Sequence, residues 1–486
     1  MRDRVGYPLV LGDVRIEFWG AAGEVTGSCY VVHTPRARVM IDVGLHQGEK
    51  EAFEHNQRLP GDLASMDAMV LTHAHLDHAG RLPMLPRRGY SGPVYCTPPT
   101  ADLCEILLMD SARLQEADAA RRARKGLTKN GPSEALYTPE HVPAALALLR
   151  PTPLDVWAPI APGVQANLVD SGHILGSASV ELKIDRPGGP ATRIVFSGDI
   201  GPRGMPLLLD PTTPGSDGSP PDLVVMESTY GDRDHRSLES TIGEIREIMH
   251  EAIWAKERVL IPAFAIGRSQ LAIYYLGRLA SEGVTPTLPV YLDSPMAIAA
   301  MKLYHRYADQ LDERMNARGG PGRSALNYPE LHLCETVEES QGLNDRDGPL
   351  AIIAGSGMCN GGRIVHHLRH HLWKRDTRVL IPGYQAANTL GRRLVSGAPS
   401  VRIFGDEIPV RAKIHTVGGL SAHAGRSELI EWAAATRRGA QCPIVLTHGE
   451  DPQRESLALA LSQKLGAEVL RPVFGDSIEV PGRENA

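Results

Sequence analysis

Within six consecutive positions the chain presents His73, His75, Asp77 and His78, directly behind the apolar run Met69-Val-Leu. Imidazole nitrogen and carboxylate oxygen are the donors that zinc, a borderline cation, prefers, and in an extended chain a His-x-His alternation turns both rings to one side. The apolar run reads as a buried strand, and the carboxyl end of such a strand is where α/β proteins assemble their sites. The chain holds 19 histidines, so an isolated one carries little information. Four ligand types in this order behind a strand point to a bound metal.

Two ions need more donors than one loop supplies, because protein-bound zinc is usually four- or five-coordinate. Further candidates stand at similar strand ends. His173 follows a strand ending at Asp170, Asp199 closes Phe196-Ser-Gly-Asp199, and His448 with Glu450 follows Ile444 to Leu446. Each of these alone reads equally well as a polar residue capping a strand.

The elements that must position them alternate β-branched runs with turn signals. Strands are predicted over Val14 to Trp19, Ser28 to His33, Arg38 to Asp42, Ala68 to Thr72, Val164 to Val169, Ala178 to Ile184 and Arg193 to Ser197, with helices over Pro99 to Ala123 and Pro139 to Leu149. Asp210 to Asp222 is rich in Pro, Gly, Ser and Asp and reads as a surface loop. From about Ser237 the texture becomes a regular alternation: helix Thr241 to Ala255, strand Val259 to Ile261, helix Ser269 to Ala280, strand Pro289 to Leu292 and helix Met296 to Tyr307. A separate small parallel α/β unit is implied. A Gly-rich excursion, Arg314 to Leu326, precedes strand Leu350 to Ala354 and helix Gly362 to Arg369. Beyond Val401, short strands (Val410 to Thr416, Ile444 to Thr447) surround one helix, Ser427 to Ala435. The class is α/β.

A chain of 486 residues exceeds what one core usually supports, so two domains, or one with a large insertion, are expected. Lys and Arg number 51 against 57 Asp and Glu, a net charge of −6, so no whole-molecule positive field attracts nucleic acid and any such contact must be local. The six cysteines show no CxxC spacing, which excludes a cysteine zinc knuckle and fits a reducing compartment. The N-terminal apolar stretch is too short for a secretory signal and no apolar run is long enough to span a bilayer, so a cytoplasmic protein with no membrane partner is expected.

Taken in order, the segments resemble the metallo-β-lactamase superfamily. Met40-Ile-Asp42-Val-Gly44 is similar to its first motif, the His73 to His78 loop to its second, His173 to its third and Asp199 to its fourth. Glu227-Ser-Thr-Tyr-Gly231, Leu420-Ser-Ala-His423 and Thr447-His448-Gly-Glu450 resemble motifs A, B and C of the β-CASP nucleases. The resemblance implies an αββα metallo-β-lactamase sandwich, residues 1–235 and 401–486, interrupted by an α/β β-CASP insertion over 236–400. It implies two Zn2+ per chain: His73, His75 and His173 on one, Asp77, His78 and His448 on the other, Asp199 bridging them. Asp42 would orient a ligand imidazole, and Asp77, Glu227 and His423 would form the catalytic set, with His423 a general acid supported by Glu227. Two positions depart from the pattern: Gly425, where relatives often carry Asp, and Asn388, where they often carry Gly.

Zinc sites of this kind also cleave lactams, thioesters and lactones, so the insertion must choose the substrate. Pro262-Ala-Phe-Ala-Ile-Gly267-Arg268, Ser294-Pro295-Met296, Ser356-Gly357-Met358 and Gly383-Tyr384-Gln385-Ala386 resemble family segments that face it, making Arg268, Ser356, Gly357 and Tyr384 candidate substrate contacts. Arg363, Arg369, Lys374, Arg375, Arg378, Arg392, Arg393, Arg402, Arg411 and Lys413 outnumber the acids among them, and the run Arg121 to Lys125 with Lys129 offers more charge. Such a local excess suits a polyanion. His448 in motif C resembles the RNA-processing branch, so the expected activity is hydrolysis of single-stranded RNA, endonucleolytic, 5′→3′ exonucleolytic or both; a homodimer is an allowed assembly. The alternatives are a small-molecule hydrolase of the same core, a DNA-directed β-CASP nuclease, and a non-catalytic scaffold, which the complete ligand set disfavours.

Overall fold

The computed structural model describes residues 14–47, 50–124, 134–215, 217–311, 326–383, 385 and 388–480; Lys125, Lys129, the excursion over 314–325 and Tyr384 lie outside them. The chain divides into two compact units. One runs to Arg203 and takes up Asp210–Asp234 and everything from His423 onward; the other comprises Gly204–Leu209 and His235–Ala422.

The first unit is built on two seven-stranded sheets. One reads, edge to edge, Ser477–Glu479, Arg15–Phe18, Tyr30–His33, Arg38–Ile41, Ala68–Val70, Val94–Cys96 and Leu149–Pro151. The other reads Val469–Leu470, Ile444–Thr447, Leu223–Glu227, Thr192–Phe196, Ala178–Ile184, Val164–Asp170 and Ala158–Ala161. Strand alternation decides which face each residue serves. Ile194 and Phe196 join Ile16, Val39, Val70 and Val180 in an interior shared by both sheets, whereas Val195 turns the other way and packs with Leu429, Trp432 and Leu461. Tyr30 of the first sheet stacks on Phe196 of the second, their centroids 5.9 Å apart. Helices Arg426–Arg437 and Asp451–Leu465 cover one outer face, and helix Pro98–Arg124 buries Leu103, Leu107, Leu108 and Ala112 beside the other sheet. Helix, sheet, sheet and helix follow in layers, the arrangement expected of an αββα sandwich.

Two local expectations change. The helix expected over 139–149 is a 3-10 turn, Pro139–His141, followed by Val142–Leu146, because Leu149–Pro151 is taken up as an edge strand beside Val94–Cys96. Where one C-terminal helix was expected there are two, the second (Asp451–Leu465) burying Arg454, Leu457, Ala460 and Leu461.

Parallel pairing brings the chemistry-bearing strand ends to one side of each sheet. Arg38–Ile41 runs parallel to Ala68–Val70, so Asp42 and the segment from Thr72 leave together. Thr192–Phe196, Leu223–Glu227 and Ile444–Thr447 are mutually parallel, which aligns Asp199, Glu227 and His448. The turn at Gly44 is pressed against the histidine loop: a Cβ there would stand 1.6 Å from the Asp77 carbonyl oxygen. Gly44→Ala is therefore expected to cost about 1–3 kcal/mol as an overpacked site, read as a lower denaturant midpoint together with weaker metal uptake.

The second unit holds a six-stranded parallel sheet, in order Leu331–Leu333, Val290–Leu292, Leu350–Ala354, Arg258–Pro262, Thr377–Pro382 and Lys413–Val417. Lys413–Val417 extends this sheet beside Thr377–Pro382, and Ser400–Ile403 pairs with Asp406–Pro409 in a hairpin. Residues 401–422, expected with the sandwich, thus belong to the inserted unit, which runs to Ala422. The sequence shows a strand over 410–416 but not which sheet it joins.

A buried polar network holds the back of this sheet. Asp293 bonds Ser340, Arg363 and His367, and His371 lies 2.6 Å from the Arg258 guanidinium and 3.1 Å from Asn344 Oδ1. Burial first, then the Arg258 charge, pushes the His371 imidazole down to about 2. Its folded value is below the unfolded one near 6.5, so its contribution to stability is fully present above pH 6.5 and is lost as pH falls. At about 1.36 kcal/mol per unit, the loss by pH 5 reaches roughly 2 kcal/mol. Thermal melting at pH 7 and pH 5 should show a drop for the native chain that is smaller in His371→Gln.

Candidate metal centre

Every ligand candidate named from the sequence lies in the first unit and arrives from the end of a strand. His73 and His75 extend from Ala68–Val70, and Asp77 and His78 occupy the short helix Leu76–Ala79 that follows. His173 follows Val164–Asp170, Asp199 follows Thr192–Phe196, and His448 follows Ile444–Thr447 in a left-handed conformation, φ 49°.

The donors gather in two sets. His73, His75, His173 and Asp199 form one, Asp77, His78 and His448 the other, and within each set the donor atoms lie within 4.8 Å of one another. Asp199 stands between them. Its Oδ2 is 3.5 Å from His73 Nε2 and 3.4 Å from His173 Nε2, while its Oδ1 is 3.2 Å from His78 Nε2 and 3.5 Å from His448 Nε2. His75 Nδ1 is 3.2 Å from His73 Nε2 and 3.1 Å from His173 Nε2, and Asp77 Oδ2 is 3.5 Å from His448 Nε2.

These residues fit a metal. Two donors on a tetrahedral zinc with bonds near 2.05 Å are about 3.3 Å apart, and the separations above, 3.1 to 3.5 Å, bracket that figure. His78 Nε2, Asp199 Oδ1 and His448 Nε2 are buried with no hydrogen-bond partner, and each faces the shared centre. An unpartnered buried polar atom costs about 1–3 kcal/mol, a penalty that ligation removes. Protonation in the first set agrees with ligation: burial, then the His78 charge, drives His73 well below its usual range, and burial lowers His75 to about 4 against the Asp77 and Asp199 carboxylates, so both are neutral ligands. In the second set burial would lower His78, but the Asp199 and Asp42 carboxylates outweigh it and raise the imidazole well above its usual range, so a cation there displaces a proton. Burial alone would raise the Asp199 carboxyl, but His448, His78 and His73 outweigh it and hold it ionised.

Partners behind the donors fix their orientation. Asp42, buried and at φ 57°, accepts from Thr72 N (2.8 Å) and Thr72 Oγ1 (2.9 Å), and its Oδ2 lies 2.8 Å from His78 Nδ1. The far nitrogen of His78 is then the one left for the centre. Thr229 Oγ1, 3.0 Å from His448 Nδ1, plays the same part for His448, a role that nothing in its sequence context signals.

Glu227 and His423 sit at the edge of the first set. His423 Nδ1 is 3.2 Å from Glu227 Oε1 and 3.9 Å from Asp199 Oδ2. Glu227 is buried and accepts from Ile200 N (2.7 Å) and Thr229 N (3.3 Å), so its carboxylate is fixed in place rather than solvated. Burial would lower the His423 imidazole, but the Glu227 and Asp199 carboxylates outweigh it and raise it to about 9. The ring is a fifth exposed, enough to reach a substrate.

Arg268, Ser356 and Gly357, the candidate substrate contacts among the described residues, lie in the second unit at the carboxyl ends of its strands. Arg268 begins helix Arg268–Ser281 behind Gly267 (φ 79°), donates to the Pro382 carbonyl and stands 5.4 Å from the centre of the Phe264 ring. Part of its fork is thus engaged within the chain. Ser356 Oγ accepts from Asn360 N and Gly361 N, and Gly357 abuts the Phe264 ring, where a Cβ would be 2.8 Å away. Phe264, 39% exposed, is the aromatic that Arg268 and Gly357 share. Asn388 adopts φ 64°, a left-handed conformation asparagine tolerates. The basic excess is smaller than the sequence suggests: Arg363 pairs with Asp293, Arg369 with Asp406, Arg378 with Glu251 and Glu257, and Lys413 with Glu257. Among the described residues no helix is long and apolar enough to cross a membrane.

Known proteins share these features. Family models match for the metallo-β-lactamase superfamily over residues 22–241, the β-CASP domain over 269–394, and a Zn-dependent metallo-hydrolase RNA specificity domain over 407–472. A protein named ribonuclease TTHA0252 from Thermus thermophilus is 38% identical over 467 residues, covering 96% of this chain and 100% of that one. Transcription termination factor FttA from Methanocaldococcus jannaschii is 30% identical over 483 residues, covering 97% of this chain and 73% of its own. A crystal structure of a protein of unknown function from Enterococcus faecalis V583 has the same fold, with a TM-score of 0.54 at 14% identity over 96% of this chain and 99% of that one.

Proposed function

The chain belongs to the β-CASP family of the metallo-β-lactamase superfamily, and from that premise we propose that it is a two-zinc ribonuclease hydrolysing phosphodiester bonds of single-stranded RNA. The observation that carries the reading is Asp199, whose two carboxylate oxygens face separate sets of imidazoles. A carboxylate so placed is suited to bridging two ions. His73, His75 and His173 would hold one, Asp77, His78 and His448 the other. When bound, the pair supplies an acidified water and neutralises charge developing on phosphorus. The RNA specificity model over residues 407–472 and the ribonuclease name of a 38%-identical relative support RNA as the substrate.

The chain's own groups do the rest. Asp42 holds His78 Nδ1 and Thr229 holds His448 Nδ1, each presenting Nε2 to the centre. Glu227 keeps His423 protonated and points its ring, and His423 Nε2 gives its proton to the leaving alkoxide. Charge on Asp199 is offset when cations bind, so the lasting support of that proton is the direct Glu227 contact. In the inserted unit, Arg268, Ser356, Gly357 and the exposed Phe264 ring offer a cation, a hydroxyl, a close backbone approach and a stacking face, which suit a phosphate backbone and an unpaired base.

Zinc-loaded protein incubated with labelled linear RNA, circular RNA, DNA of the same sequence, a lactam and a thioester tests the proposal. Cleavage of linear RNA with the others spared, apart from the circle, is expected, and the circle reports whether cutting can begin away from an end. Turnover of lactam or thioester without RNA cleavage would reject it.

A further inference from the structure

Apart from the two ligand sets and the Asp199, Glu227 and His423 trio beside them, one more group of metal-ligating side chains lies in the first unit and shares no residue with them: Glu24, His46 and His55, whose donor atoms are within 4.8 Å of one another. Glu24 sits in the loop between strands Arg15–Phe18 and Tyr30–His33, His46 in the loop after Arg38–Ile41, and His55 on helix Lys50–Gln57. Glu24 Oε1 is 3.2 Å from His46 Nδ1 and 3.9 Å from His55 Nδ1, both less than twice a zinc–ligand bond of about 2.0–2.2 Å.

The His46 ring has been given a place of its own. Its side chain is fully buried, and neither ring nitrogen has a hydrogen-bond partner. A Cβ on Gly20 or Gly27 would come within 2.8 or 2.4 Å of that ring, so the glycines leave the space it fills. Asn56 fixes its backbone from both sides, and the Phe474 ring stacks on His55 at 4.8 Å. Burial, opposed by Glu24 and reinforced by the Arg81 charge, lowers the His46 imidazole toward the neutral form that ligates. Arg81 itself is anchored to the Gly44 and Arg58 carbonyls. Glu24 and His55 are about a third exposed, which gives an ion a way in.

We propose that Glu24, His46 and His55 bind a third divalent cation of the zinc class. Two imidazoles favour a transition ion over magnesium or calcium, and a water completes its coordination. The loops it would join are the ones that brace the Asp199 centre: Ala21 O accepts from His448 N (2.7 Å), Glu24 O from Gly449 N (3.2 Å), and Leu45 N donates to Leu76 O (2.6 Å) beside Asp77. The ion is a structural tie, holding the loops behind both histidine segments.

Full-length protein is stripped of metal, reloaded with zinc and assayed for zinc per chain and for melting with and without zinc, alongside Glu24→Gln and His55→Ala. Each variant is expected to bind one equivalent fewer than the native chain, to melt as it does when metal-free, and to gain less from zinc. Equal zinc content in either folded variant overturns the proposal, as does an undiminished melting shift. The comparison is a difference between chains with identical Asp199 sets, so it reads the third site whether those sets take two ions, one or none. Asp199→Asn, in turn, should still show the drop when Glu24→Gln is added.

Discussion

Asp199→Asn is expected to reduce RNA cleavage by about 10³–10⁴-fold. The substitution keeps the shape of the side chain but replaces one ligating oxygen with an amide nitrogen that cannot bind a cation, and it removes the negative charge between the two sets. Metal assistance contributes several kcal/mol to a transition state in which charge builds on phosphorus, and each 1.36 kcal/mol is about tenfold. Zinc content should fall as well, because a carboxylate oxygen of this one residue lies within 3.5 Å of an imidazole in each set. Elemental analysis and single-turnover cleavage check both effects. A variant that keeps full zinc and cleaves within tenfold of the native chain would show that Asp199 does not bridge.

The second large effect separates two histidines that look alike in sequence. His448→Ala should lose zinc and slow hydrolysis whatever the leaving group. His423→Ala should keep its zinc, since His423 Nδ1 faces Glu227 rather than a ligand set's centre, and should lose activity chiefly where the leaving alkoxide is basic. A general acid is typically worth about 10²–10⁴-fold, and nitrophenolate needs little of that help. Zinc content, RNA cleavage and hydrolysis of a nitrophenyl phosphodiester, measured on both variants, should give a crossed pattern. Loss of zinc from His423→Ala with retention in His448→Ala reverses the assignment.

How much of this was legible beforehand depends on how locally each feature is written. The His73 to His78 segment concentrates four donors behind one apolar strand, so its chemistry shows without a partner. His173, Asp199 and His448 are single residues at separate strand ends, and only their order and the family likeness linked them; parallel pairing in the second sheet is what aligns Asp199 with His448. Glu24, His46 and His55 lie 22 and 9 residues apart and were not singled out, because nothing in a loop glutamate and two scattered histidines signals that Gly20 and Gly27 leave room for a ring. A strand was visible over 410–416, but its sheet was not: a strand pattern does not name its neighbour, and the partner strand Thr377–Pro382 lies on the other side of a hairpin in the chain. Counting charges along 363–413 overstated a basic surface because Glu251, Glu257 and Asp293, outside that stretch, fold back to neutralise it.

Diffraction from crystals of active, zinc-loaded protein, recorded above and below the zinc absorption edge, tests the two-ion centre most directly. The anomalous difference map should show two peaks about 3.5–4 Å apart, one beside each carboxylate oxygen of Asp199, the first among His73, His75 and His173 and the second among Asp77, His78 and His448. A single peak there, or none, in crystals whose dissolved protein still cleaves RNA would contradict the account.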